Sequence, residues 1–68
     1  MKNYEEIKDE MIDCTMSCDL EEAINFYKSV IGGNELRIKC NHYSTNEELE
    51  ELKLEIQVAK DMLDSFRK

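Results

Sequence analysis

Three cysteines and one histidine are the residues of this sequence best suited to bind a metal. Cys14 and Cys18 are four positions apart, and Cys40 and His42 are two positions apart. Together they would supply the four ligands of a closed zinc site, and zinc would also stabilise a chain this short. Neither spacing is the Cys-x2-Cys of common zinc motifs, however, and free cysteine also packs as a small apolar side chain. We therefore predict no cofactor, with cysteines in the core and His42 on the surface; a zinc-stabilised Cys3His structural module with an interaction function is the alternative.

The same residues make a poor catalytic site. For Cys40 to act as a nucleophile with His42 as its base, a third group would have to orient the histidine and a pocket would have to hold the substrate. A chain of 68 residues has little room for such a pocket. The sequence also lacks the glycine patterns of phosphate-binding and dinucleotide-binding loops and the spacing of an EF-hand. We therefore predict that the protein is not an enzyme.

Acidic residues are the most distinctive feature of the composition. The chain has 16 acids and 9 bases, which gives a net charge of −7. Five acids fall on one face of the first predicted helix, where like charges four residues apart cost roughly 0.2–0.5 kcal/mol per pair. This face either solvates the helix, with acids favoured near its N-terminus by the helix dipole, or recognises a partner. Its residues are Glu5, Glu6, Asp9, Glu10 and Asp13.

The charge distribution excludes two classes of ligand. Lys and Arg are not clustered, so direct binding to nucleic-acid phosphates or to anionic membranes is not expected. A basic surface on another protein is the natural electrostatic complement. No apolar run approaches the ~18 residues that cross a bilayer, no signal peptide is recognisable, and the number of cysteines is odd. We therefore predict a cytoplasmic protein with reduced thiols.

Apolar spacing predicts a single all-α domain over residues 1–68. Steps of three and four predict a first helix over residues 4–17 and a second over 20–31, and their very short link predicts an antiparallel hairpin. Asp19 can cap the second helix, with Glu22 completing a capping box. The pair Gly32-Gly33 supplies the left-handed residue at which helices commonly end.

Residues 32–44 are ambiguous and are predicted as a connector. Within them Leu36, Ile38, Cys40 and His42 alternate with polar residues, which is the period of a half-buried strand. Nothing else in the chain alternates to pair with such a strand. A connector or a short helix is therefore favoured over a strand.

The longest predicted helix covers residues 46–67 and carries two apolar stripes. Thr45 can cap it, with Glu48 completing a capping box. One stripe is a heptad seam, and the charges beside it favour a parallel pair of identical helices. A second stripe, centred on Val58, lies away from the seam, and one short hairpin offers little to cover both. We predict a homodimer through the seam; a monomer in which both stripes form one wide core face is the alternative. The seam residues are Leu49, Leu52, Ile56, Ala59, Leu63 and Phe66.

The predicted function follows from these two surfaces. A small acidic helical composition without cofactor motifs is common among small modulators and phage-type viral inhibitors, a likeness of composition only. We predict a non-enzymatic protein that binds the basic surface of another protein and modulates or inhibits it. In a sharper form of this hypothesis, its carboxylates imitate nucleic-acid phosphates and block a basic groove on the target.

Overall fold

The computed structural model describes residues 2–66 of the chain, which form three helices. α1 covers Tyr4–Thr15, α2 covers Leu20–Lys39 and α3 covers Asn46–Ser65. The predicted all-α fold, with a helical hairpin followed by a long C-terminal helix, is confirmed. The predicted end of the last helix at residue 67 lies outside the described residues.

The three helices run up, down and up. Near one end of α2 the amide of Asn34 donates to the carbonyl oxygen of Leu52 in α3, with an Nδ2–O distance of 3.3 Å. Near the other end of α2 the ring of Tyr27 lies 5.9 Å from the ring of Phe66, which caps α3. α2 and α3 are therefore antiparallel, and their contact is the most extensive of the three helix pairs.

One apolar core joins all three helices. Tyr27 and Val58 are completely buried at its centre. From α3, the partly buried Leu54, Met62 and Leu63 pack against it. Both predicted stripes of α3 therefore contribute to the core of the chain itself, as in the monomeric alternative, while self-association stays a prediction. The buried members of this core are Ile7, Met11, Ala23, Tyr27, Val58 and Ala59.

The core-facing stripe of α1 ends on a threonine rather than a cysteine. It passes through Ile7 and Met11 to Thr15, whose hydroxyl donates to the carbonyl of Met11 (2.9 Å) and lies 3.1 Å from the hydroxyl of Tyr27. Cys14 is one residue away on the helix and is exposed. The prediction of a buried Cys14 is wrong because the stripe advances by four residues, not three, in the last turn of α1.

The second helix is longer than the sequence pattern predicts. α2 continues through Gly32 and Gly33, neither of which has a positive φ, and ends at Lys39. The predicted stop at the glycine pair is therefore wrong, and the connector shrinks from residues 32–44 to residues 40–45. No strand is present in the part of the chain that the structure describes.

The helix stop predicted at the glycines is found instead at Asn41. Its φ is 56°, in the left-handed region that asparagine tolerates better than most residues. The next amide, of His42, donates to the carbonyl of Arg37 at 2.7 Å, and the Asn41 amide donates to that of Ile38 at 3.1 Å. These two bonds are the pair that defines a Schellman motif.

For the predicted capping boxes of α2 and α3, the hydrogen bond accepted by the side chain of the cap residue is confirmed. Asp19 accepts a hydrogen bond from the amide of Glu22 (2.8 Å), and Thr45 accepts one from the amide of Glu48 (3.2 Å). The reciprocal bond of α3 differs from a capping box, because the Glu48 carboxylate accepts from the amide of Ser44, one residue before the cap. Both helices therefore begin where the sequence places them.

Candidate interaction surface

The five predicted acids of α1 form one exposed surface, which we call the acidic face. All five side chains are exposed, and they occur within the 12 residues of a single regular helix. The structure therefore places the residues of this prediction together. They are Glu5, Glu6, Asp9, Glu10 and Asp13.

Two acids of this face also have local roles. Glu6 belongs to a capping box, in which its amide donates to the side chain of Asn3 (2.9 Å) and its carboxylate accepts from the Asn3 amide. Glu10 lies 2.7 Å from the ammonium of Lys2, and this hydrogen bond raises the pKa of Lys2. No hydrogen bond or ion pair between described side chains involves the other three members, Glu5, Asp9 and Asp13.

The N-terminus of α1 is fixed to α3 by a tyrosine. The hydroxyl of Tyr4 donates to the carboxylate of Asp61, and this bond raises the pKa of Tyr4. Asp61 also accepts from the side-chain amide of Gln57 at 2.9 Å. Because Tyr4 faces α3, the acids that follow it along the helix point away from the core.

The negative charge of the whole chain is concentrated around this face. Residues 4–22 contain eight acids and one lysine, whereas residues 23–68 contain eight acids and seven bases. The remainder sums almost to neutrality, although residues 46–55 at the start of α3 hold five acids and one lysine. The chain therefore has its largest excess of negative charge around α1 and a smaller one at the start of α3.

An apolar groove lies beside the acidic face, where the link between α1 and α2 meets the end of α3. Its rim is formed by Ile12, Met16 and Leu20, which are 38, 74 and 58 % exposed. Side chains of Tyr27 and Phe66 are among those that line it, and the depression has a volume of about 410 Å³. The sequence analysis did not predict this groove, because it forms only where the α1–α2 link meets the end of α3 in the folded chain.

The metal ligands of the zinc alternative are not brought together within one chain. Cys14 and Cys18 lie before α2, and Cys40 and His42 follow it, so the 20 residues of α2 separate the two pairs by about 30 Å. No cluster of three or more metal-binding side chains occurs among residues 2–66. None of the three cysteines, all within that range, forms a disulfide.

Two of the three cysteines are also more exposed than predicted. Cys14 and Cys40 are exposed and Cys18 is half-buried, so the prediction of core cysteines is wrong for the first two. Cys40 is exposed because it caps α2, beyond the last turn that packs on α3. His42 is exposed, as predicted.

The residues of the predicted self-association seam differ in how deeply they are buried. Leu52 and Ala59 are buried, and Leu63 and Phe66 pack partly buried against the core. The remaining members, Leu49 and Ile56, are half-buried. Most of the seam is therefore covered by α1 and α2, which weakens the argument that this helix needs a second copy.

The α2–α3 contact contains a buried asparagine that the sequence analysis missed. Asn34 is 7 % exposed, and its amide donates to the carboxylate of Glu55 at 2.8 Å as well as to the backbone of Leu52. Its position on the same stripe as Tyr27 and Val30 could have revealed it. The early helix end predicted at the glycines hid that continuity.

Comparisons of the chain with protein-family models, with curated proteins and with solved structures returned no match. Among the described residues no helix is both long and apolar enough to cross a membrane.

Proposed function

We propose that this chain is a non-enzymatic modulator that docks its acidic face on a basic surface of another protein. The observation that supports the proposal is the set of exposed carboxylates of Glu5, Asp9 and Asp13, which make no hydrogen bond or ion pair within the described residues. They stand at successive turns of one rigid helix. Like-charge neighbours at this spacing destabilise the helix, so the arrangement serves the folded chain poorly and a cationic partner well.

The charge density of the acidic face suits an inhibitor that imitates nucleic acid. Its five carboxylates fall within about 12 Å along the helix axis, at 1.5 Å per residue. Duplex DNA of that length carries about seven phosphate charges. Two of the five carboxylates are engaged by Asn3 and Lys2, so the effective density is lower than that of DNA. A basic groove shaped for phosphates is nevertheless the most complementary target.

A charge-reversal experiment tests the proposal. The tagged protein is used to capture partners from cells of its source, and the captured protein is purified and titrated by calorimetry at about 50 mM and 300 mM NaCl. We expect the E5K/D9K/D13K variant to lose at least about tenfold in affinity, and the wild type to bind more weakly at the higher salt because these charges are screened.

The matched control reverses three exposed acids elsewhere on the molecule. E35K/E47K/E50K changes the net charge by the same amount on α2 and α3, and it is expected to keep most of the affinity. Equal losses in the two variants would show that only net charge matters, and an unchanged affinity of E5K/D9K/D13K would refute the proposal. Displacement of labelled duplex DNA from the partner tests the nucleic-acid-mimic form separately.

A further inference from the structure

We infer that the apolar groove beside the acidic face receives a basic amphipathic helix of the partner. This inference rests on the proposed function, because it specifies the segment through which the basic partner docks. Its starting point is the exposed apolar rim, which the acidic face alone does not explain.

The groove is a continuous apolar surface and not a set of scattered side chains. Ile12 comes from α1, Met16 caps it, and Leu20 begins α2, yet all three border one depression of about 410 Å³. Met16 and Leu20 are more than half exposed, so they add little to folding. An exposed apolar patch bordered by polar residues commonly marks a site of protein interaction.

The electrostatic surroundings of the groove favour a basic occupant. Asp19, whose side chain is exposed, is the acidic residue that lines it. Both α1 and α3 end beside it, with the partial negative charge of helix C-termini and no basic residue in the last turn of either. The N-terminus of α2, also at the groove, is capped by the carboxylate of Asp19. Residues 67 and 68, both basic in sequence, lie outside the described residues. An apolar segment flanked by Lys or Arg is therefore better matched than a neutral or acidic one.

The spacing along α1 suits a helix lying beside it. Glu5, Asp9, Ile12 and Met16 are separated by steps of four, three and four, so they share one line on the helix surface. This line is about 17 Å long, or roughly three helical turns. A partner helix along it would place apolar anchors in the groove at one end and basic side chains over Glu5 and Asp9 at the other, in the manner of helix-in-groove recognition.

A set of designed peptides tests this inference without knowledge of the natural partner. The probe is a 16-residue helix with leucines at helical spacing on one face and lysines at the other positions. One control peptide replaces each lysine with glutamate, and another replaces each leucine with serine. Binding is measured by calorimetry and by ¹⁵N chemical-shift mapping at about 50 mM NaCl. We expect only the Leu/Lys peptide to bind well, with shifts at Ile12, Met16 and Leu20.

Neutral substitutions on the rim separate the groove from the acidic face. M16Q/L20Q is expected to weaken binding of the Leu/Lys peptide by at least about tenfold, because it removes the exposed apolar anchors. The matched control is L36Q, since Leu36 is 62 % exposed on the outer face of α2, away from the groove. It is expected to leave binding unchanged, and circular dichroism of both variants checks that the fold is kept.

The outcomes distinguish the inference from the proposal on which it rests. If M16Q/L20Q binds the Leu/Lys peptide like the wild type, or if the Ser/Lys or Leu/Glu peptide binds equally well, the inference is overturned. It is also overturned if the free protein dimerises and M16Q/L20Q abolishes the dimer, because the occupant is then a second copy. Loss of binding in E5K/D9K/D13K with no loss in M16Q/L20Q would overturn the inference about the groove and would support binding through the acidic face. No loss in E5K/D9K/D13K would refute the proposed function.

Discussion

A side-chain hydrogen bond at the start of α1 adds to the buried contacts that orient the acidic face relative to the core. Tyr4 is the first residue of α1, and its hydroxyl donates to Asp61 near the end of α3. We expect Y4F to lower the free energy of unfolding by about 1 kcal/mol, the net contribution of such a bond at a partly exposed site. Chemical denaturation near pH 8 measures this loss, and an unchanged stability would contradict it.

The same bond predicts a dependence of stability on alkaline pH. Because the pKa of Tyr4 is raised above its ordinary value of 10.0, the folded chain holds this proton more tightly than the unfolded chain. Its contribution is complete below about pH 10 and is lost as the pH rises through the folded-state pKa. The stability difference between wild type and Y4F should therefore shrink above about pH 10. Lys2, whose pKa is also raised, is present in both proteins and cancels in the comparison.

Asn34 has an equally specific role at the α2–α3 contact. N34A removes the donor to Glu55 and to the backbone of Leu52, and we expect a loss of about 1–2 kcal/mol in the free energy of unfolding. A double-mutant cycle with E55A should give a coupling energy of about 1 kcal/mol, since the two side chains are in direct contact. Additive effects would show that the bond to Glu55 contributes little and that Asn34 acts through its bond to Leu52 and its packing.

At the scale of the helix, the glycine pair of α2 is a local weakness. Gly32 and Gly33 lie inside the helix, and a Cβ added at either position would meet no atom within 4 Å. We expect G32A and G33A each to raise the free energy of unfolding by about 0.5–1 kcal/mol, because alanine restricts the unfolded chain and strengthens the helix. Thermal denaturation should show a higher melting temperature for each.

A substitution at Asn41 is a control for the glycine variants, because it should lower the stability that they raise. N41A places alanine at a φ of 56°, where a side chain without a local hydrogen bond is strained, so it should destabilise the chain by about 1 kcal/mol. If G32A or G33A also destabilised the chain, the outer face of α2 would have to be covered in solution.

The helices show how far the sequence could predict the fold. The start of α3 at residue 46 and the cap at Asp19 follow from local hydrogen-bonding chemistry, which the sequence displays directly. The end of α2 does not, because Gly32 and Gly33 are compatible with either a stop or a continuation. The packing of Asn34 against α3 favours continuation of the helix. It involves Leu52, which lies 18 residues further along the sequence.

The candidate site was predictable to the same degree. The acidic face needs only one regular helix, so spacing alone places its five residues together. The apolar groove needs three segments, and Met16 and Leu20 join Phe66 only once the hairpin has folded against α3. The separation of Cys18 from Cys40 likewise depends on α2 being a single helix of 20 residues.

At the scale of the whole molecule, the uneven charge predicts how stability responds to salt. Nearly all of the net charge of −7 is confined to residues 4–22, where Asp9 has a like charge four residues away on either side, at Glu5 and Asp13. D9K converts both repulsive pairs to attractive ones. We expect it to raise the free energy of unfolding at low salt by about 1 kcal/mol. Each pair loses a repulsion and gains an attraction, and each of these is worth roughly 0.2–0.5 kcal/mol. The gain should diminish as added NaCl screens the charges.

A substitution at Glu35 separates these local pairs from the effect of net charge. E35K changes the total charge by the same amount as D9K, but it places a lysine four residues before Lys39 on an exposed part of α2. It should therefore be neutral or slightly destabilising at low salt, as measured by the same denaturation series. If E35K and D9K stabilised the chain equally, the destabilising repulsion would come from the net charge of the whole molecule. If D9K alone did so, the acids of α1 are maintained at a cost to folding, which is what a surface kept for a cationic partner requires.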